Sequence, residues 1–210
     1  MDIKEYKTVK NAGTCEYIEK RSRFISHCFP VKTEEEALFH LNRLKQEYWD
    51  ASHNVYAYII KDNNIMRYSD DGEPGGTAGV PVLDILKKES LTDVLVVVTR
   101  YFGGILLGTG GLVHAYSKSA KLGLDASEIV DMVLCTKIII SCSYTLLGKI
   151  QFETEGFCEA FIDNIEYGED VKLSVFVKTD FADKFIDFIN DKSNGNAEFQ
   201  KLETTFFEKK

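Results

Sequence analysis

The sequence predicts a two-domain α+β protein, and three observations carry that expectation. From Asp131 onward a strand, a helix, two strands, a helix and a strand follow one another, the βαββαβ order of a ferredoxin-like unit. Earlier, Val94-Leu95-Val96-Val97-Val98 is a continuous apolar run, the mark of a central strand covered on both faces. The third observation is a change of character along the chain. Glycine- and arginine-bearing turns fill the first part, and every arginine (Arg21, Arg23, Arg43, Arg67, Arg100) lies there. A length of 210 residues allows one or two domains, and the expected division is 1–127 and 131–210, with Asp125 to Val130 as linker.

The elements follow in order. Gly13 to Glu19 and Ser22 to Val31 read as two strands parted by Lys20-Arg21. Thr33 followed by Glu34-Glu35-Glu36 is a capping box, with acids where the helix dipole favours them. Ala37, Leu41, Leu44 and Tyr48 then recur at helical spacing. Asn54 to Ile60 is a strand, Asn63-Asn64 a turn, and Ile65 to Tyr68 the returning strand. Asp70 to Thr77 is too rich in turn formers for a regular element, and Thr77 is placed to cap a helix through Leu83 to about Lys88. After the apolar strand and its glycines, a helix is expected with Val113, Tyr116, Ala120 and Leu124 on its buried side. In the second domain, strands are expected at Val133 to Cys142, Cys158 to Glu166, Val171 to Lys178 and Ala197 to Phe206. Helices are expected from Tyr144 to about Glu155, and after an Asp180 cap with Phe181, Phe185 and Phe188 buried.

Composition narrows the function. With 44% hydrophobic and 28% charged residues a real core is available. The net charge of −8 argues against a nucleic-acid binder that uses its whole surface. From Asp131 onward there are 9 basic and 15 acidic residues, net −6, against −2 for the rest. Any anion-binding face therefore belongs to the first domain. The five cysteines (Cys15, Cys28, Cys135, Cys142, Cys158) are scattered and form no C-x-x-C, which reads as reduced core thiols. Met1 to Lys7 lacks the apolar core of a signal peptide, and no run approaches the ~18 apolar residues of a membrane span, so a cytoplasmic protein without membrane contact is expected.

Two constellations could carry chemistry. In the first, the apolar strand ends at Thr99-Arg100-Tyr101-Phe102, and Gly103, Gly104, Gly108, Gly110 and Gly111 lead into a helix. Glycines allow close approach to a ligand, and the first helical amides are free donors. With His114, Lys118 and Lys121 on the helix, this could form an anion nest, or simply a tight strand-to-helix crossover. No P-loop or dinucleotide fingerprint is present. In the second, Asp70, Asp71 and Glu73 lie in one turn; they could hold a metal or act as an acid/base pair, or form a polar surface turn. No metal or cofactor is expected as a resident group.

Taken together, the motifs are more specific than their parts. Ser22-Arg23-Phe24-Ile25, Ser52-His53-Asn54-Val55-Tyr56-Ala57-Tyr58, Arg67-Tyr68-Ser69-Asp70-Asp71-Gly72-Glu73-Pro74-Gly75-Gly76-Thr77, Val96 to Gly104 and Leu107 to Ser117 closely resemble the IMPACT/YigZ family, in its bacterial two-domain type. The resemblance implies a first domain like ribosomal protein S5 domain 2, and a second like the ferredoxin-like domain V of elongation factor G. It also implies a role near translation or RNA, with no established catalytic residues. Eukaryotic members act through protein contacts on an activator of a translation-control kinase; this chain has no room for their extra N-terminal domain, so that partner is not carried over. His114 stands where many relatives have arginine, which removes a permanent positive charge.

The leading expectation is a translation-associated binding protein, engaging RNA, the ribosome or a protein partner through the first domain. Arg23, His53, Asn54, Arg67, Arg100, Tyr101, Phe102 and Lys118, with the glycine loop and the Asp70–Glu73 turn, form the expected binding surface. An exposed Arg100-Tyr101-Phe102 would suit base stacking or a protein hot spot. The alternative is an enzyme acting on a small phosphorylated ligand, with a metal on Asp70, Asp71 and Glu73. Arg100 is expected to pair with a carboxylate of that turn. The oligomeric state is left open.

Overall fold

A computed structural model describes residues 4–209. Two compact units are present: residues 6–131, and residues 132–209 together with Lys4 and Glu5. The protein is the two-domain α+β type that the sequence predicts.

The first unit is an antiparallel sheet between two helical layers. After β1 (Glu5–Val9) come β2 (Gly13–Glu19), β3 (Ser22–Pro30), α1 (Glu34–Glu47), β4 (His53–Ile60), β5 (Ile65–Ser69), α2 (Gly79–Lys88), β6 (Val94–Tyr101) and α3 (Gly108–Asp125). The sheet order is β2-β3-β6-β4-β5, so β6 is central. Successive side chains of a strand point to opposite faces. Val94, Val96 and Val98 accordingly join Phe24, Cys28 and Val55 in the core under α2 and α3. Leu95 and Val97 join Phe29, Tyr58 and the Ala37, Leu41 and Leu44 stripe of α1 on the other side. The apolar run is buried on both faces, as such a run requires.

Caps and turns explain the boundaries. The Thr33 hydroxyl accepts from the Glu36 amide at 3.2 Å and so starts α1, while Glu36 reaches back to the Lys32 amide at 2.7 Å. Asn63 and Asn64 turn the chain between β4 and β5 with φ of 56° and 49°, a conformation asparagine tolerates. Two expectations fail here. Thr77 does not cap α2: its hydroxyl donates to the Pro74 carbonyl, and Asp70 takes the amides of Ala78 and Gly79 instead. Val113 is exposed; the buried stripe of α3 is Leu112, Ala115, Tyr116, Ser119, Ala120, Gly123 and Leu124.

The second unit has β7 (Ile129–Cys142), α4 (Tyr144–Glu155), β8 (Ala160–Tyr167), β9 (Val171–Lys178), α5 (Ala182–Lys192) and β10 (Glu198–Glu208). The strand order β10-β7-β9-β8 with antiparallel neighbours is the ferredoxin-like arrangement, and β1 is the fifth strand of this sheet, paired with β7. Lys4 reaches this unit by accepting from the Leu134 amide at 2.8 Å. Ile138, Ile140, Leu173, Val175 and Val177 pack against Ile150, Phe185 and Ile189 of the helices. Asp180 does not cap α5; it pairs with Lys4 at 2.6 Å, and a single 3-10 turn at Thr179–Phe181 leads into the helix. The expected linker shortens as well, because α3 runs to Asp125 and β7 starts at Ile129. No helix among the described residues is long and apolar enough to cross a membrane.

Candidate functional site

The expected site residues come from distant stretches, and the antiparallel sheet gathers many of them at one edge. Arg23 pairs with Tyr101 across β3 and β6, and both Phe24 and His53 lie opposite Arg100. The turn after β5 and the start of α3 complete that edge. Because Arg100 follows Val94, Val96 and Val98 in the alternation, its side chain enters the α2/α3 face instead of solvent.

There it is sealed. The side chains of Arg100 and Glu73 are only 6% and 4% exposed, and Arg100 Nη1 donates to Glu73 Oε1 at 2.5 Å. The same oxygen accepts the Tyr116 hydroxyl at 2.7 Å, and His53 Nε2 stands 3.8 Å away. Ser22 Oγ accepts from Arg100 Nη2 at 3.4 Å and from the Gly103 amide at 3.2 Å. Phe24 and Phe102 flank the guanidinium, with ring centroids 5.4 and 5.6 Å from its carbon. Burial and the bond to Glu73 push the Tyr116 hydroxyl well above the ordinary phenol range. Charges so deeply buried persist only when paired, and here they lock β3, β6, α3 and the turn together. Arg100 is thus not the exposed recognition residue the sequence suggested.

The acidic turn is similarly committed to the fold. Asp70 accepts from the amides of Gly76, Ala78 and Gly79 at 2.9, 3.0 and 2.8 Å. Asp71 takes the Asn54 amide at 2.7 Å and Lys45 Nζ at 3.1 Å, while its carbonyl meets His53 Nδ1 at 2.8 Å. Glu73 faces Arg100. The three carboxylates serve three separate partner sets, so the turn does not form the metal cradle of the enzyme alternative. Among the described residues no group of three or more His, Cys, Asp or Glu side chains is arranged to hold a metal.

The expected cationic patch is largely neutralised. Arg23 makes a forked contact with Glu16, both nitrogens at 2.7 Å, and its guanidinium lies 5.8 Å from the Tyr101 ring. Arg67 meets Glu34 at 3.7 Å, Lys121 meets Glu89 and Asp125, and Lys118 sits 4.5 Å over the Tyr17 ring. Asn54 accepts from the buried Thr99 hydroxyl at 2.7 Å on the α1 face. Tyr101 donates to Asp50 at 2.8 Å. His114 is exposed on α3.

The loop after β6 remains. Its base is fixed: the Phe102 amide donates to Ser52 Oγ at 3.1 Å, and Gly103 packs so tightly that a Cβ would lie 2.1 Å from the Arg21 backbone carbon. Beyond that point Gly104 and Gly108 have φ of 80° and 71°, which glycine alone adopts freely. Between them Leu106 is 84% exposed, with Phe102 and Ile105 also exposed. Gly110 and Gly111 lie in the first turn of α3, which no side chain caps. The partners that sequence reasoning missed are Tyr116, Ser22 and Ser52. Tyr116 carried a usable signal, because a tyrosine on the buried stripe of a helix must find a partner for its hydroxyl.

Comparison with known proteins agrees with this layout. Residues 20–124 match the model of the Impact N-terminal domain, and residues 140–196 match a domain of unknown function, DUF1949. The chain is 41% identical to the IMPACT family member YvyE of Bacillus subtilis over 99% of this chain and 95% of that protein. It is 33% identical to the IMPACT family member YigZ of Escherichia coli, over 88% of this chain and 91% of that one. The Protein IMPACT homolog of Dictyostelium discoideum is 42% identical, but over only 46% of this chain and 29% of its own length. A crystal structure of a hypothetical protein superposes with a TM-score of 0.60 at 31% identity, covering 96% of this chain and 98% of the other. Matches across both units and nearly the full length of bacterial relatives make the assignment plain: the chain belongs to the IMPACT family.

Proposed function

We propose that the protein is a regulatory binding protein of the translation machinery, and that its first unit grips a protein surface through the loop from Phe102 to Leu106. The observation that carries this reading is the contrast within a few residues of β6. Arg100 is withdrawn into a sealed ion pair, whereas Phe102, Ile105 and Leu106 are held outward on a base anchored by Ser22 and Ser52. An apolar tip on a fixed base loses little conformational entropy on docking. The neutralised Arg23, Arg67 and Lys121 favour a protein surface over nucleic acid, since RNA contact draws on free cations. With net charge −8, the protein gains little from phosphate attraction. We place the activity in the cytoplasm, where ribosomes are met.

The test is co-sedimentation of the full chain with purified ribosomes through a sucrose cushion at low and at high salt. Binding should persist at both, and Leu106→Asp should abolish it while the far-ultraviolet circular dichroism stays unchanged. A steep loss with salt would transfer the contact to RNA. Absence of the protein from the ribosomal pellet at every salt would overturn the reading.

A further inference from the structure

Helix α1 exposes large apolar side chains that the fold does not use. Ala37, Leu41 and Leu44 are buried against the sheet. At about 100° per residue the opposite side is centred on Phe39 and carries Asn42 and Gln46, with Leu38 at its margin and Trp49 just past the helix end. Phe39 is 66% and Trp49 82% exposed, and Leu38 is exposed as well. On a solvated helix face large apolar side chains are the exception, and here they stand among polar and charged ones. These three side chains offer on the order of 300–400 Å² of apolar surface, nearly half of the ~800 Å² each partner gives a standard interface.

The charges identify the occupant. Glu34, Glu35 and Glu36 occupy the first turn of α1, while Arg43 and Lys45 lie towards its other end. Most have partners within the chain: Glu34 with Tyr58 and Arg67, Glu36 with the Lys32 amide, Lys45 with Asp71. Glu35 accepts from the Thr33 hydroxyl and the backbone at the helix start, but neither it nor Arg43 makes an ion pair among the described residues, and Arg43 rests 5.5 Å over the Phe29 ring. Glu35, Phe39 and Arg43 form one ridge at spacings of four, with Phe39 at its midpoint. Antiparallel pairing of this ridge with its own copy sets Glu35 against Arg43 twice and brings the two Phe39 rings together on the axis. It also opposes the helix dipoles. A parallel arrangement would set like charges together.

We infer that the outer face of α1 is a self-association surface, through which two copies of this chain pair about a two-fold axis with their α1 helices antiparallel. Such an isologous contact needs one patch that complements itself, and the Glu35-Phe39-Arg43 ridge does so. The inference rests on α1 alone and does not depend on the ribosome reading.

Sedimentation equilibrium of the full chain tests it. At about 100 µM, where a micromolar association is saturated, the mass should be twice 23.8 kDa. Phe39→Asp should return it to the monomer mass with unchanged circular dichroism, because that side chain lies outside the buried core and within the chain its ring meets the His40 ring edge-on. Glu35→Lys and Arg43→Glu should each weaken association about tenfold or more, and the two together should restore it by re-forming the pair in reverse. Three outcomes would overturn the inference: a parent of monomer mass at about 100 µM, a dimer indifferent to Phe39→Asp, or a charge-swapped double variant as weak as the single ones.

Discussion

The two faces of the first sheet bury polar groups by opposite means, although the same strand serves both. On the α2/α3 face β6 contributes Arg100, whose charge is cancelled by Glu73 and braced by Tyr116. On the α1 face the next residue inward, Thr99, makes a neutral bond to Asn54, and nearby His27 is buried with Nε2 unpartnered. Burial holds the His27 imidazole below its usual range, despite the opposing pull of Glu47. One face thus holds charge by pairing it and the other by excluding it. Removing a partner should be costly on the first, and adding a proton should be costly on the second.

The largest expected effect comes from breaking the pair. Arg100→Ala leaves Glu73 buried without its counter-charge, and a loss of about 3–5 kcal/mol is expected in urea unfolding. Tyr116→Phe removes one donor and keeps the ring, so about 1 kcal/mol is expected. An Arg100→Ala loss no greater than that of Tyr116→Phe would show that the charge is not truly sealed, and the contrast between the faces would collapse.

The strand's exit can be probed with two glycines. Gly103→Ala drives a Cβ into the Arg21 backbone, and about 1–3 kcal/mol of strain is expected in the same unfolding experiment. At Gly110 a Cβ would meet nothing within 4 Å, so Gly110→Ala should be neutral or stabilise by up to about 1 kcal/mol through helix propensity. Equal losses at both positions would mean that the loop is held by something other than its base.

The other face should answer to acid. The folded-state pKa of His27 is depressed by burial, so below the ordinary value of 6.5 the unfolded chain takes up the proton first. Stability from this site is fully present above pH 6.5 and is lost as pH falls towards the folded pKa. His40, also depressed by burial, acts with the same sign. Thermal unfolding followed from neutral pH downward should show the decline before the carboxylates titrate, and His27→Gln should reduce it to the part that His40 contributes. A curve flat through that window in the parent would contradict the assignment of His27 as a neutral buried group.

Much of the fold was legible because its signals are local. The Thr33 cap, the double-faced run Val94–Val98 and the βαββαβ rhythm each depend on a few neighbouring residues. The site was legible as a set of residues but not as an arrangement. Sequence spacing placed Arg100 at a strand end, where exposure is the ordinary expectation, yet strand alternation carried it inward from Val98. The helix cap went to Asp70 and not Thr77, because a turn closing on itself brought a residue eight positions away to the Ala78 amide. The pairing of Arg23 with Glu16 was hidden for the same reason, since strand register decides it and register is a long-range property.

Glu73 Oε1 collects its donors from 27 and 43 residues further along the chain, and Ser22 reaches Arg100 across 78. No nascent helix or hairpin can assemble such a set on its own; β3 must already lie beside β6, and α3 must already cover them. Until then both charges can remain hydrated, and only the assembled frame exchanges that water for the ion pair. The network therefore reports on the whole domain: it can close only where four distant stretches of the chain already stand in their native places.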